Sequence, residues 1–370
     1  MIALLLTLLA WGGADESVPL ASQLVQDGHH ARAQSVLDSL DESLLGEFAA
    51  RYYTVSGVIA LQSEEYMRAR DEFHVAVEFV QQGQEGADVG LLQLYIAQCS
   101  IALRAYEQAI RDLSTADQSG HEYWVLLATA HKGLEDAEAY YYTVNEGLEN
   151  HPNNLDLSLK SVDSVLWLGM VRQGFQMGSR LLERPELDAQ SALQLAYAFQ
   201  QHSAPSEAYW LLKTSTGRYS DSAIWIAASA QAIETKRFSE AADMLLVLAE
   251  QDPNYAIEAA EAYRQAGAFG RALYANTLAT DGEDKVRQRL GLYIASEDFV
   301  EACALVPRLN RWNILKEDPV KYGLAYAFFK LGDFDSATQY VQGITDISIF
   351  QQAASLRSAI SVCETEGCQE

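Results

Sequence analysis

The chain has 370 residues, 49% of them apolar and 21% charged, with 26 basic against 51 acidic side chains and a formal net charge of -25. The charge disfavours nucleic acid and anionic membrane surfaces as partners, since both are recognised by clustered Lys and Arg; it would draw in a basic protein or segment through a salt-sensitive field, and solubility of a long, high-surface molecule is the alternative reading.

Residues 1–11, MIALLLTLLAW, form an uncharged apolar run followed by Gly12, Gly13 and Ala14. A bilayer span needs about 20 apolar residues, so the run is too short to cross one. It has the shape of a secretory signal peptide over 1–14, cleaved after Ala14 to leave Asp15 first. The stretch before the apolar run carries no Lys or Arg, so an uncleaved anchor and a retained first helix stay open as alternatives. No cysteine follows the run, and a lipoprotein anchor is not supported.

Residues 15–346 repeat. The clearest copy, LAYAFFKLGDFDSATQYV, places Ala325, Phe328, Gly332, Phe334, Ala337 and Val341 at offsets 0, 3, 7, 9, 12 and 16. AEAYRQAGAFGRALYAN puts Ala260, Tyr263, Gly267, Phe269, Ala272 and Asn276 at the same offsets, and a third copy holds Ser229, Ala232, Lys236, Phe238, Ala241 and Leu245 there, after Trp225 and before Pro253. Apolar residues three and four apart make one helical stripe per segment. The small residues fall where two helices must approach closely, and Gly or a polar residue at offset 7 makes the turn.

This pattern resembles the tetratricopeptide repeat, W-x2-L-G-x2-Y, then A-x3-F, then P. Following the second small position gives Ala33, Ala69, Ala109, Tyr140, Gly174, Ala208, Ala241, Ala272, Ala302 and Ala337, with steps of 30 to 40 residues. The resemblance implies an all-α, right-handed α-solenoid of about ten helical hairpins. The fourth hairpin departs by carrying Tyr140 at the alanine place and the fifth by carrying Gly174 and Gly178. Residues 81–88, QQGQEGAD, read as a long loop between hairpins. No linker or low-complexity tract interrupts the array, which reads as one domain.

Residues 347–362, ISIFQQAASLRSAISV, read as a capping helix over the last hairpin. With the tail they make a segment over 347–370 that contains Cys363 and Cys368. That pair, around Gly367, can close a small disulfide in an exported protein; free thiols and a metal half-site are the competing readings. Cys99 and Cys303 fall inside helices and read as core residues.

Catalytic and cofactor motifs are absent from the sequence, so neither an enzymatic activity nor a cofactor nor a metal is expected. His30 takes the place of the aromatic that follows a turn. His74, His121, His131, His151 and His202 lack ligand spacing. DGED, with Asp281, Glu283 and Asp284, lacks the distal Glu of a calcium loop. Tyr140, Tyr141 and Tyr142 cannot all face a core, so at least one is expected on the surface, where it could touch a partner or lie half-buried in a wide groove.

The resemblance implies that the first helix of each hairpin lines a concave groove holding a peptide or partner helix. By offset, that face carries Thr129, Lys132, Asp163, Trp167, Tyr197, Gln200, Gln201, Glu261, Arg264, Tyr322 and Tyr326; with Tyr140 these are the candidate partner-binding residues. Any of them could instead pack between adjacent first helices. The clamp by which some family members hold a terminal carboxylate is not expected, because Lys132 and Arg264 stand four hairpins apart. The chain thus reads as a non-catalytic scaffold or adaptor in an exported, bacterial envelope or secretion assembly. A cytoplasmic assembly chaperone and an enzyme with groups grafted on the groove are the alternatives.

Overall fold

The computed structural model describes residues 13–366, and every regular element among them is a helix. The segment 1–12 and Cys368 lie outside the described residues, as does the expected Cys363–Cys368 pairing that depends on the latter. Two compact units divide the chain between Arg184 and Pro185, where the sequence pattern reads as one array. Each side of that division is tied to its own unit. Arg184 donates to Asn153 O at 2.7 Å and Ser158 Oγ at 3.1 Å, while Arg218 donates to Pro185 O at 3.2 Å and Leu187 O at 3.3 Å.

The first unit contains five hairpins: α1 (Ala14–Gln26) with α2 (His30–Leu37), α3 (Ala49–Gln62) with α4 (Tyr66–Gln81), α5 (Val89–Ala102) with α6 (Tyr106–Leu113), α7 (His121–Gly133) with α8 (Ala137–Asn150), and α9 (Leu155–Trp167) with α10 (Val171–Leu182). The second unit contains α11 (Ala189–Gln201) with α12 (Pro205–Thr216), α13 (Ser222–Glu234) with α14 (Phe238–Ala249), α15 (Tyr255–Gln265) with α16 (Phe269–Leu278), α17 (Glu283–Ala295) with α18 (Phe299–Ala304) and α19 (Val306–Arg311), and α20 (Asp318–Lys330) with α21 (Phe334–Gln342). A last helix, α22 (Phe350–Glu366), follows them. These are tetratricopeptide-like hairpins in the number and register that the small-residue pattern implies.

Packing explains why the register holds. All ten second-helix positions, from Ala33 to Ala337 and including Tyr140 and Gly174, are buried. The first-helix positions twelve residues earlier, such as Ala21, Ala97, Ala128, Ala196, Ala260 and Ala325, are buried too. At Gly174 a Cβ would stand 2.7 Å from Leu166 Cδ2, so the fifth hairpin uses glycine because its two helices leave no room for a methyl group. The residue between the two helices is left-handed in every hairpin: Gly28, Glu64, Arg104, Glu135, Gly169, Ser203, Lys236, Gly267, Glu297 and Gly332 all have positive φ. The next residue donates its N–H back to the last turn, as in Ala268 N to Tyr263 O at 2.9 Å and Asp333 N to Phe328 O at 3.0 Å. This is the Schellman closure, and six of the ten hairpins make it without glycine.

Acidic residues contribute to these ends. Asp88, Asp188 and Asp221 cap first helices, and Asp136 and Asp333 cap second helices, each accepting a backbone N–H that the helix leaves unpaired. In the ninth hairpin the second helix breaks into α18 and α19, with Pro307 in the opening turn of α19, where its missing N–H removes no helical bond. The long loop after α4 is fastened rather than loose: Gln84 Oε1 accepts from Ala50 N at 3.0 Å and its Nε2 donates to Gly46 O at 3.0 Å.

The capping helix behaves as expected. Ala353, Leu356 and Ile360 of α22 bury against Ala325, Ala337, Val341 and Ile344. Asp318 at the start of α20 fixes the approach to it, accepting from the N–H groups of Thr345 and Asp346 at 2.8 Å and from Lys321 Nζ at 2.8 Å. Cys99 is buried, Cys303 is half-buried, and burial pushes both thiols up to about 11.

Candidate partner-binding surface

Within each unit, first helices lie beside first helices, as α1 with α3, α5 with α7 and α7 with α9, and as α11 with α13, α15 with α17 and α17 with α20. A side chain pointing away from the core on such a helix therefore belongs to a surface shared by several hairpins. The candidate residues separate on it into three kinds.

Five of them converge where α7, α8 and α9 meet. Lys132 Nζ donates to Asp163 Oδ2 at 2.6 Å, and the Tyr140 hydroxyl donates to the same oxygen at 2.9 Å. Asp163 is buried at 7% exposure, whereas the Lys132 side chain is 40% exposed. The edge of Tyr140 meets Trp167 at 5.9 Å between centroids, and the Lys132 ammonium stands 5.9 Å from the Tyr140 ring. Thr129 accepts from Lys160 Nζ at 3.0 Å. Lys160 was not among the sequence candidates, although it sits one turn before Asp163. Burial and the neighbouring Lys132 charge together push its ammonium below the usual lysine range.

Tyr140 requires a correction. Its side chain is fully buried, so it cannot touch a partner. Burial, then the Asp163 charge, raises its hydroxyl far above the usual tyrosine range, and the protonated hydroxyl serves to hold Asp163 in place. Of the three consecutive tyrosines the exposed one is Tyr142, at 62%. The expectation that one of them must face outward therefore holds, but at another position.

In the second unit, Tyr197, Gln200 and Gln201 all stand exposed on α11, where an aromatic ring and two amides offer stacking and hydrogen bonds to an extended backbone. On α15 Arg264 is exposed and Glu261 half-buried, and they are occupied with one another, through Arg264 Nε to Oε2 at 2.8 Å and Nη2 to Oε1 at 2.6 Å. Tyr322 and Tyr326 are half-buried and line an open cleft of about 470 Å³ with Phe329, Gln351, Gln352 and Ser355, between α20 and the capping helix.

Other groups singled out in the sequence serve packing. His30 is half-buried at the start of α2. His121 and His151 come together at 6.2 Å between centroids, but no group of three metal-ligating side chains occurs among the described residues. Asp281 pairs with Lys285 at 3.2 Å and Arg308 at 3.5 Å, so the DGED loop is an ion-paired corner. No helix among the described residues is long and apolar enough to cross a membrane.

No family model matches the chain, and no curated protein does. Among solved structures it is similar to Pseudomonas aeruginosa PilF, at 14% identity and TM-score 0.44 over 60% of this chain and 97% of that one. A tetratricopeptide repeat protein from Parabacteroides merdae is similar at 11% identity and TM-score 0.38 over 76% of this chain and 99% of that one. YrrB, described as a tetratricopeptide repeat protein with an unusual peptide-binding site, is similar at 16% identity and TM-score 0.32 over 58% of this chain and 90% of that one. At these values the likenesses carry no functional argument, and the reading of this chain rests on its own residues.

Proposed function

We propose that the protein is a non-catalytic interaction scaffold that holds a peptide or protein partner along the first-helix surfaces of its units. The observation that carries this reading is the side-by-side packing of first helices together with what they leave outside: Tyr197, Gln200 and Gln201 on α11 and the half-exposed Lys132 on α7. Aromatic rings and amides spaced along parallel helices suit an extended chain better than a small molecule. The charge of -25 favours a partner with a net positive charge, met by long-range steering and weakened by salt.

The proposed setting is an exported one, in a bacterial envelope or secretion assembly, and the apolar run 1–11 followed by Gly12, Gly13 and Ala14 supports it. Processing after Ala14 would remove only the first residue of α1 and leave its core residues Val18 and Ala21 in place. Protein recovered from the envelope is expected to begin at Asp15; intact Met1 on cytoplasmic protein would overturn the location.

The scaffold reading is tested by site-specific photo-crosslinking in the native cell. A crosslinker replacing Tyr197 or Gln201 should capture a defined partner, in an amount that falls as salt is raised during capture. Capture only from second-helix positions such as Tyr142 would place the contact on the other face.

A further inference from the structure

The junction of α7 and α9 holds two ammonium groups and one carboxylate. Asp163 gives its Oδ2 to Lys132 and Tyr140. Lys160 has Thr129 Oγ1 as its hydrogen-bond acceptor, and it forms no ion pair within 4.0 Å among the described residues. Asp156, one turn earlier on the same helix, is exposed and attracts it less than Asp163 does. Asp163, already bonded to Lys132 and Tyr140, is the nearer charge that both ammoniums draw on, and a half-buried cation that shares its counter-ion is under-compensated where water is partly excluded. In a chain of net charge -25 this surplus of one positive charge runs against the surrounding field.

Surface lysines ordinarily stand in water. This one does not: it leans on a threonine hydroxyl 31 residues away and shares its surroundings with a second lysine. The arrangement leaves donors on both ammoniums unspent, since each nitrogen carries three N–H bonds and makes one hydrogen bond. An anion that accepts from both nitrogens would use those donors and supply the missing negative charge.

We infer that Lys132 and Lys160 form an anchoring site for an acidic side chain, Asp or Glu, of a bound peptide. This rests on the scaffold reading and deepens it: the partner, basic as a whole, carries one carboxylate that fixes its register on the first unit. Long-range attraction then governs encounter, and the inverted charge at this junction governs where the peptide stops.

The test uses the full chain and peptides of twelve residues with amidated C-termini, selected from a random display library and resynthesised. Binding is read by fluorescence anisotropy at physiological salt. The selected peptides are expected to contain an Asp or Glu whose change to Asn or Gln weakens binding about tenfold or more, as loss of a charge-assisted pair does. In Lys160→Gln and Lys132→Gln that acidic residue should lose its advantage. Lys213→Gln, on a lysine already paired with Glu240 at 2.8 Å, should leave it intact.

Carbodiimide coupling of the bound peptide to the unmodified protein gives a second readout that does not depend on folding of a variant, and its amide bond should map to Lys132 or Lys160. Peptides that bind the first-helix surface without needing a carboxylate, or that couple elsewhere, overturn the anchoring site and leave the scaffold reading standing. If no peptide competes with the photo-crosslinked partner, both fail.

Discussion

The fourth and eighth hairpins share one backbone register and fill it with opposite chemistry. In the eighth, Ala256, Ala259, Ala260, Ala262, Ala272 and Ala275 are buried between α15 and α16 and their neighbours, so helices meet through methyl groups. In the fourth, the residue aligned with Ala272 is Tyr140, and its hydroxyl is satisfied by the next hairpin, which offers Asp163 Oδ2 at 2.9 Å and Lys160 O at 3.2 Å. The repeat therefore fixes where a residue sits, while the neighbouring repeat decides whether a polar one can be tolerated there. The alanine hairpin is a spacer. The tyrosine hairpin is where a network that orients half-buried lysines can be built.

Substitutions sharpen that contrast, the largest effect coming from the spacer. Ala272→Arg forces a long charged side chain into a fully closed interface and should cost about 3 kcal/mol or more, read as a large fall in thermal midpoint. Lys236→Arg, in a left-handed turn, disturbs no packed surface and should stay within about 0.5 kcal/mol. Equal midpoints for the two would mean that the repeat register is misassigned.

Tyr140→Phe comes next. It keeps the ring against Trp167 but withdraws the hydroxyl from Asp163, and a cost of about 1–2 kcal/mol is expected. An alanine-like indifference to losing this hydroxyl would dissolve the distinction between the hairpins. Gly267→Ala, in the turn of the eighth hairpin, meets no atom within 4 Å and should cost about 1 kcal/mol through left-handed strain alone. Glu135 already bears that strain at the same place in the fourth, so Glu135→Gly should be neutral to slightly stabilising in the same assay.

The smallest effect is a pH response at the last hairpin. Its hydrogen bond from Lys321, then those from the Thr345 and Asp346 N–H groups, hold the Asp318 carboxyl well below the usual carboxylate range. A depressed folded-state pKa means that the stabilisation is complete above the unfolded value near 4 and is lost as pH falls through the folded value. Protection of the α22 amides, taken relative to their intrinsic exchange rates, should therefore fall below about pH 4, and Asp318→Asn should remove that dependence while lowering protection at pH 7.

Much of this was legible in the sequence because each hairpin repeats its own signal. A recurring second-helix position and a turn residue five places before it locate the hairpins, including those where Tyr140 or Gly174 stands for alanine, and the polar residues at the turns, such as Ser203 and Glu297, fall in left-handed places. The contacts between hairpins were harder to see. Lys132 with Asp163 and Thr129 with Lys160 are each 31 residues apart, so a scan within one repeat passes over them. A search for opposite charges one repeat apart would have found Lys132 with Asp163, and also Arg287 with Glu317 at 2.8 Å. Lys160 carried no such mark, because its partner is a hydroxyl. The burial of Tyr140 was implied by its place in the alanine series, whereas the division at Arg184 depends on tertiary packing that periodicity does not encode.

The central claim is that first helices bind and second helices support, and two tyrosines of the second unit test it directly. Tyr197 on α11 and Tyr274 on α16 are 58% and 60% exposed, matched in residue type and exposure but set on first and second helices respectively. Dissociation rates of the crosslinked partner, measured on purified complexes of Tyr197→Ala and Tyr274→Ala, separate the two faces without a difference in burial to confuse them. Tyr197→Ala should speed dissociation by about thirtyfold, as the loss of a contact residue worth roughly 2 kcal/mol does, with Tyr274→Ala within twofold of the unaltered protein. Rapid dissociation of Tyr274→Ala with Tyr197→Ala unchanged would contradict the account.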